Sequence, residues 1–126
     1  MYFYKCKHCG KLVVMFDKMD CCPTICCGEP MEELTANTEE AAFEKHIPVI
    51  EEKDNKVVVK VGEVAHPMLP EHFINLIVLH TDQGYKVKHL KAGEPPMATF
   101  AILDNEIVFS AYAYCNLHGL WKKASE

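Results

Sequence analysis

The chain has 126 residues, enough to bury one modest core plus a small satellite held together by something other than apolar contact. Its apolar content of 49% and charged content of 25% are ordinary for a globular protein. The formal charge of −5, with lysines scattered singly between Lys45 and Lys91, excludes a nucleic-acid surface, which needs clustered cations. No membrane is expected either, because the best apolar run, "FINLIVL" at Phe73–Leu79, is far too short to span one. The start, "MYFYKCKHCG", lacks the apolar stretch of a secretory signal, so a reducing compartment is expected, with the cytoplasm as default. There, cysteines serve as metal ligands or redox groups more often than as disulfides.

Six of the seven cysteines fall within the first 27 residues, and five of the seven histidines fall between His46 and His89. This change in composition sets a boundary near "ELTANTEE" at Glu33–Glu40 and divides the chain into residues 1–36 and 37–126. "MYFYKC" and "KLVVMF" suit a pleated surface, and "CKHCG" between them is a tight turn ending on Gly10. A piece this small needs a staple.

Next, Asn37 or Thr38 is placed to cap a brief helix, with Glu39 and Glu40 favourable in its first turn. His46 and Pro48 end it, because the residue before a proline avoids helical dihedrals. The remainder reads as strands: "IPVIEE" and "KVVVKVG", "HFINLIVLHT" and "YKVKHLK", "MATFAIL" and "IVFSAYAYC", then "LWKKA". Such spacing predicts an all-β protein whose larger part is an antiparallel sandwich of the immunoglobulin-like class.

Cys6 and Cys9 form a C-x2-C knuckle, a spacing that lets two thiolates grip one tetrahedral ion. Two more sulfurs are needed, and both Cys21-Cys22 and Cys26-Cys27 are available. Local chemistry leans toward the second pair, since Gly28 follows it and turns freely, whereas Pro23 follows the first and has no N–H. Four thiolates suit zinc and iron equally.

Cys115 stands alone in the second part, in "AYCNLHGLW", where C-x2-H with Asn116 and Gly119 makes a compact chelating loop. "EVAHPMLPEHF" sets His66 and His72 around Pro67 and Pro70, which forbid a regular helix, and "FEKHIPVI" adds His46. One such histidine is more often a core residue than a ligand. Three separate loops, each with His or Cys beside a turn former, argue for a site. His8, His80 and His89 lack this context and read as structural or solvated.

These stretches carry a resemblance. "CKHCG" with "ICCGEPM" resembles the small rubredoxin-type iron module desulforedoxin, while "EKHIPVI", "VGEVAHPM", "EH" before an aromatic, and "YCNLHGLW" resemble the neelaredoxin-like domain of superoxide reductases. Nearly the whole chain is thus similar to the desulfoferrodoxins, two-iron superoxide reductases. Phe73 departs from the tryptophan of many relatives, and Cys21 and Cys22 have no counterpart in the pattern.

The resemblance implies a desulforedoxin-like β module followed by the sandwich, with two mononuclear non-haem irons. Cys6, Cys9, Cys26 and Cys27 would hold the first, where zinc is also possible. His46, His66, His72 and His118, with Cys115 as axial ligand, would hold the second. It further implies one-electron reduction of superoxide to hydrogen peroxide without dioxygen release, a rubredoxin-like electron donor and a homodimer. Lys45 would attract the anionic substrate, and Glu44 would ligate the metal after product has left. On charge pattern alone "EEAAFEK" is a solvated face. Rival readings are a superoxide dismutase, a non-catalytic iron electron-transfer protein and a zinc-stapled binding module.

Overall fold

A computed structural model describes residues 1–19 and 21–125. The chain divides into two compact units, Met1–Thr35 and Ala36–Glu126.

In the first unit, β1 (Tyr2–Lys5) pairs antiparallel with β2 (Leu12–Met15) across the C-x2-C turn. The stretch "ICCGEP" forms a second, tiny hairpin from β3 (Ile25–Cys26) and β4 (Glu29–Pro30). β5 (Glu32–Glu33) then returns to the free edge of β1. The apolar interior amounts to little more than Phe3 and Met31. So few buried side chains supply little of the roughly 25 cal/mol per Å2 that apolar burial provides, and a staple is needed as the sequence implied.

The second unit opens with α1 (Phe43–His46), a single turn. It stops there because Ile47, extended at φ −68° and ψ 124°, precedes Pro48. The expected cap is absent: the helix starts from Ala42, with no side-chain cap. Asn37 is engaged elsewhere. Its amide donates to the Lys122 carbonyl at 3.0 Å and accepts from the Lys122 N–H at 2.8 Å, stitching the segment to the last strand. These two bonds from the Asn37 side chain to the Lys122 backbone outcompete a cap that would secure only one turn.

Seven strands follow: β6 (Pro48–Lys53), β7 (Lys56–Val61), β8 (Ile74–Thr81), β9 (Gly84–His89), β10 (Met97–Ala101), β11 (Val108–Cys115) and β12 (Gly119–Ala124). They form two antiparallel sheets, ordered β10-β7-β6 and β12-β11-β8-β9, the antiparallel sandwich expected. Period-2 alternation sets the inward residues, interrupted in β8 by a register shift between Ile74 and Leu76. Val57, Val59 and Val61 of β7 and Ala98 and Phe100 of β10 meet Ile74, Ile77 and Leu79 of β8 and Ala111, Ala113 and Cys115 of β11 in one buried cluster. The last inward position of β11 is thus a thiol at the end of the core.

Candidate metal centres

The first unit brings Cys6, Cys9, Cys26 and Cys27 together, with all four sulfurs within 4.8 Å of one another. The knuckle is shaped by N–H donors: the amides of His8 and Cys9 each point at the buried Cys6 sulfur at 3.4 Å. On the other side Cys27 and Gly28 take consecutive positive φ values of 54° and 79°, so the chain turns back and presents adjacent sulfurs, 4.0 Å apart. Gly28 has the freedom this requires.

The Cys9 N–H, opposed by burial and helped by the His8 N–H, pulls the Cys6 thiol down to about 6. Cys26, whose sulfur is 3.6 Å from that of Cys9, is pushed up to about 12, chiefly by its contact with Cys9. Crowded thiols resist ionising together, and a cation relieves this. The donor set fits a tetrahedral ion. Cys21 and Cys22 are exposed and lie outside this group.

In the second unit one helical turn, the β7–β8 loop and the β11–β12 turn supply groups that could ligate a metal. His46 ends α1 and is buried. Its position depends on Gly62, where a Cβ would come within 2.5 Å of the Glu44 carbonyl oxygen and 2.9 Å of the Lys45 carbonyl carbon. His66 is buried in the loop after β7, its N–H bound to the Val61 carbonyl at 2.9 Å. Residues Leu69–His72 close on themselves through paired backbone bonds of 2.9 and 3.0 Å. Cys115 and His118 flank the turn from β11 to β12, which Gly119 completes at φ 78°.

The four imidazoles form a closed quadrilateral. Successive ring centroids, His46–His66–His72–His118 and back, are 4.6, 4.7, 5.0 and 5.0 Å apart. The His46–His72 separation of 6.4 Å is close to the diagonal of a square on those sides. Neighbouring rings are nearly perpendicular, at 77° to 88°, and the opposite pair differs by 28°. The Cys115 sulfur joins the ligating nitrogens of His46, His66 and His72 within 4.8 Å, and it accepts the His118 N–H at 3.4 Å.

Proton positions follow from the partners. The Nδ1 of His46 lies 2.7 Å from the Ala42 carbonyl, and that of His66 lies 2.7 Å from the Pro67 carbonyl. Carbonyls only accept, so each Nδ1 carries the proton and each Nε2 presents a lone pair. Those two Nε2 atoms face one another at 3.1 Å. Two lone pairs at that distance repel unless a cation lies between them. Among the described residues, His72 Nε2 and His118 Nδ1 are likewise buried without a hydrogen-bond partner. Such orphans are costly, and a metal satisfies them. Burial lowers His66 to about 4 and also lowers His46 and His72, keeping these rings neutral and able to donate. Five convergent N and S donors fit an iron ion better than zinc, which prefers four.

Lys45 is exposed on α1, and its charge reaches both His46 and His72, lowering each slightly. Glu44 is exposed beside it and lines a shallow groove with Phe43, Ile47 and Glu63. His80 and His89 lie on β8 and β9, and His8 meets Glu29 at 3.1 Å on the surface.

Sequence reasoning missed the groups that aim the ligands. The Ala42 and Pro67 carbonyls are backbone atoms, invisible in a residue pattern. Asn116, read only as a turn former, accepts the Phe73 N–H at 2.9 Å and donates to the Glu71 carbonyl at 3.0 Å, tying the His72 loop to the Cys115 turn. Trp121 is fully buried, its ring 4.7 Å from that of His46.

The family model named Desulfoferrodoxin matches residues 38–124. A desulfoferrodoxin homolog from Archaeoglobus fulgidus is 43% identical over 97% of this chain and 95% of its own. The desulfoferrodoxin of Nitratidesulfovibrio vulgaris is 45% identical over 94% of this chain and 92% of its own. Among solved structures, the superoxide reductase from Treponema pallidum superposes with a TM-score of 0.81 at 38% identity, covering 97% of each chain. Fold, donor sets and relatives together define a metal-binding oxidoreductase. The chain belongs to the desulfoferrodoxin family.

Proposed function

We propose that this chain reduces superoxide to hydrogen peroxide, consuming one electron and two protons per superoxide and releasing no dioxygen. The observation that carries the reading is the convergence of His46, His66, His72 and Cys115 with His118 beside them. Superoxide reductases among its relatives support the reaction class. Iron held by these five residues would supply the single electron.

The residues around it do the rest. Four neutral imidazoles leave the positive charge of a bound metal undiminished, and one thiolate removes a single unit, so the site attracts an anion. The Lys45 ammonium adds to that attraction at the exposed rim. The Ala42 and Pro67 carbonyls keep two rings in the donating tautomer. The His118 N–H tempers the basicity of the Cys115 sulfur. Glu44, exposed on α1 beside Lys45, would offer a further carboxylate ligand to a bound metal.

The thiolate group of the first unit acts as the structural staple, holding iron or zinc, and electrons come from a rubredoxin-like carrier. Rapid mixing of reduced, iron-loaded protein with superoxide tests the reading. Second-order consumption that disappears in His66→Ala supports it; equal consumption by the variant refutes it.

A further inference from the structure

Outside the two groups of ligand-type side chains, four sulfur-bearing residues of the first unit line one cleft. This cavity of about 460 Å3 is lined by nine residues, four of which are Met15, Met19, Met31 and Cys22. Thirteen of the 126 residues carry sulfur, so composition alone would place roughly one in a set of nine. Half of the six methionines in the chain line this cleft.

The four side chains run from floor to rim: Met31 is buried, Met15 half-buried, Cys22 exposed, and Met19 exposed at 72%. Filling space does not account for Met19, because a side chain that open to solvent fills nothing. Thr24 braces two of the walls. Its carbonyl accepts the Met31 N–H at 2.8 Å, and its hydroxyl lies 4.0 Å from the Met15 sulfur.

One thiol and three thioethers make a soft donor set. Among the described residues the only carboxylate lining the cleft is Asp17, too few oxygens for a hard divalent ion. Among the described lining residues the one ammonium, Lys18, is paired with Glu33 at 2.7 Å. A thiolate with a monovalent cation sums to zero charge, so no net charge is brought into the cleft.

We propose that this cleft binds a soft monovalent metal ion of the Cu(I) type through the Cys22 thiolate and the thioethers of Met15, Met19 and Met31, separately from the two centres described above. Binding releases the Cys22 thiol proton to solvent. Cys21, which does not line the cleft, is not a ligand.

The test is anaerobic titration of the full-length, iron-loaded protein with Cu(I) against the chromophoric chelator bicinchoninate. The proposal expects one Cu(I) retained per chain with iron content unchanged, and unaltered retention by Cys21→Ser. It expects affinity to fall about tenfold or more in Cys22→Ser and in the volume-conserving double variant Met15→Leu/Met31→Leu. Iron content of each variant reports whether it has folded. Copper lost entirely to the chelator, copper gained only as iron is expelled, or undiminished binding by the double variant would each overturn it. Copper-edge X-ray absorption on the wild-type complex gives an independent readout: a sulfur-only shell supports the site, and nitrogen or oxygen neighbours contradict it.

Discussion

The indole N–H of Trp121 donates to the main-chain carbonyl of His118 at 3.0 Å. The same ring lies against His46, so one buried side chain braces ligating residues from two different segments. Trp121→Phe keeps most of the packing and removes the bond, at a cost of about 1 kcal/mol. Trp121→Ala removes both and should cost about 3–5 kcal/mol. Denaturant unfolding of the iron-loaded variants checks this, and the Phe variant should retain iron while the Ala variant loses it from the histidine site.

Lys45 contributes charge without being buried. Lys45→Ala should therefore slow the second-order reaction with superoxide at low ionic strength and flatten its salt dependence. Iron content should not change. A variant as fast as wild type in dilute buffer would remove Lys45 from the substrate path.

Cys115→Ser should lose the visible absorption that arises from sulfur-to-iron charge transfer at the histidine site. The buried position of Cys115 at the end of β11 tolerates serine sterically, so the fold should survive and the spectrum should report ligation alone. Persistence of the band would place the thiolate outside the coordination sphere.

Cys21→Ser/Cys22→Ser should leave the metal of the first unit in place, because neither sulfur belongs to the thiolate cluster. Cys26→Ser should lose that metal, and the small apolar interior around Phe3 should loosen with it. Elemental analysis of the two variants separates these outcomes.

The acid stability of the sandwich should depend on Glu106. Its buried carboxylate accepts the Thr81 hydroxyl at 2.5 Å and the Leu103 N–H at 2.9 Å, with Lys86 at 3.8 Å. The Thr81 bond, then the Leu103 bond, hold it below the usual carboxylate range. A depressed folded-state value means the stabilisation is complete above the unfolded value of about 4.3 and is lost as pH falls through the lower folded value. Glu106→Gln should be less stable than wild type at neutral pH and lose less on acidification below about pH 4. Parallel acid limbs for the two proteins in denaturant titrations would contradict this.

Much of the architecture was legible because the chemistry was local. The stretches "KVVVKVG" and "MATFAIL" read as strands and form β7 and β10, whose Val57, Val59, Val61, Ala98 and Phe100 are buried. Asn37 was misread because its true partner, Lys122, lies 85 residues away, and sequence pattern alone carries no such pairing. The two-residue strands β3, β4 and β5 are too short to show a period. The histidines and cysteines that the structure brings together were legible as His and Cys beside turn formers. The carbonyls of Ala42 and Pro67, the span of Asn116 and the brace of Trp121 were not, because they depend on where loops meet in space.

The central claim, one-electron reduction at the histidine–cysteine site, is tested most directly by the products of a superoxide pulse. Reduced, iron-loaded protein should give one hydrogen peroxide for each superoxide consumed and no dioxygen. Half a peroxide and half a dioxygen per superoxide would mark a dismutase and contradict the account.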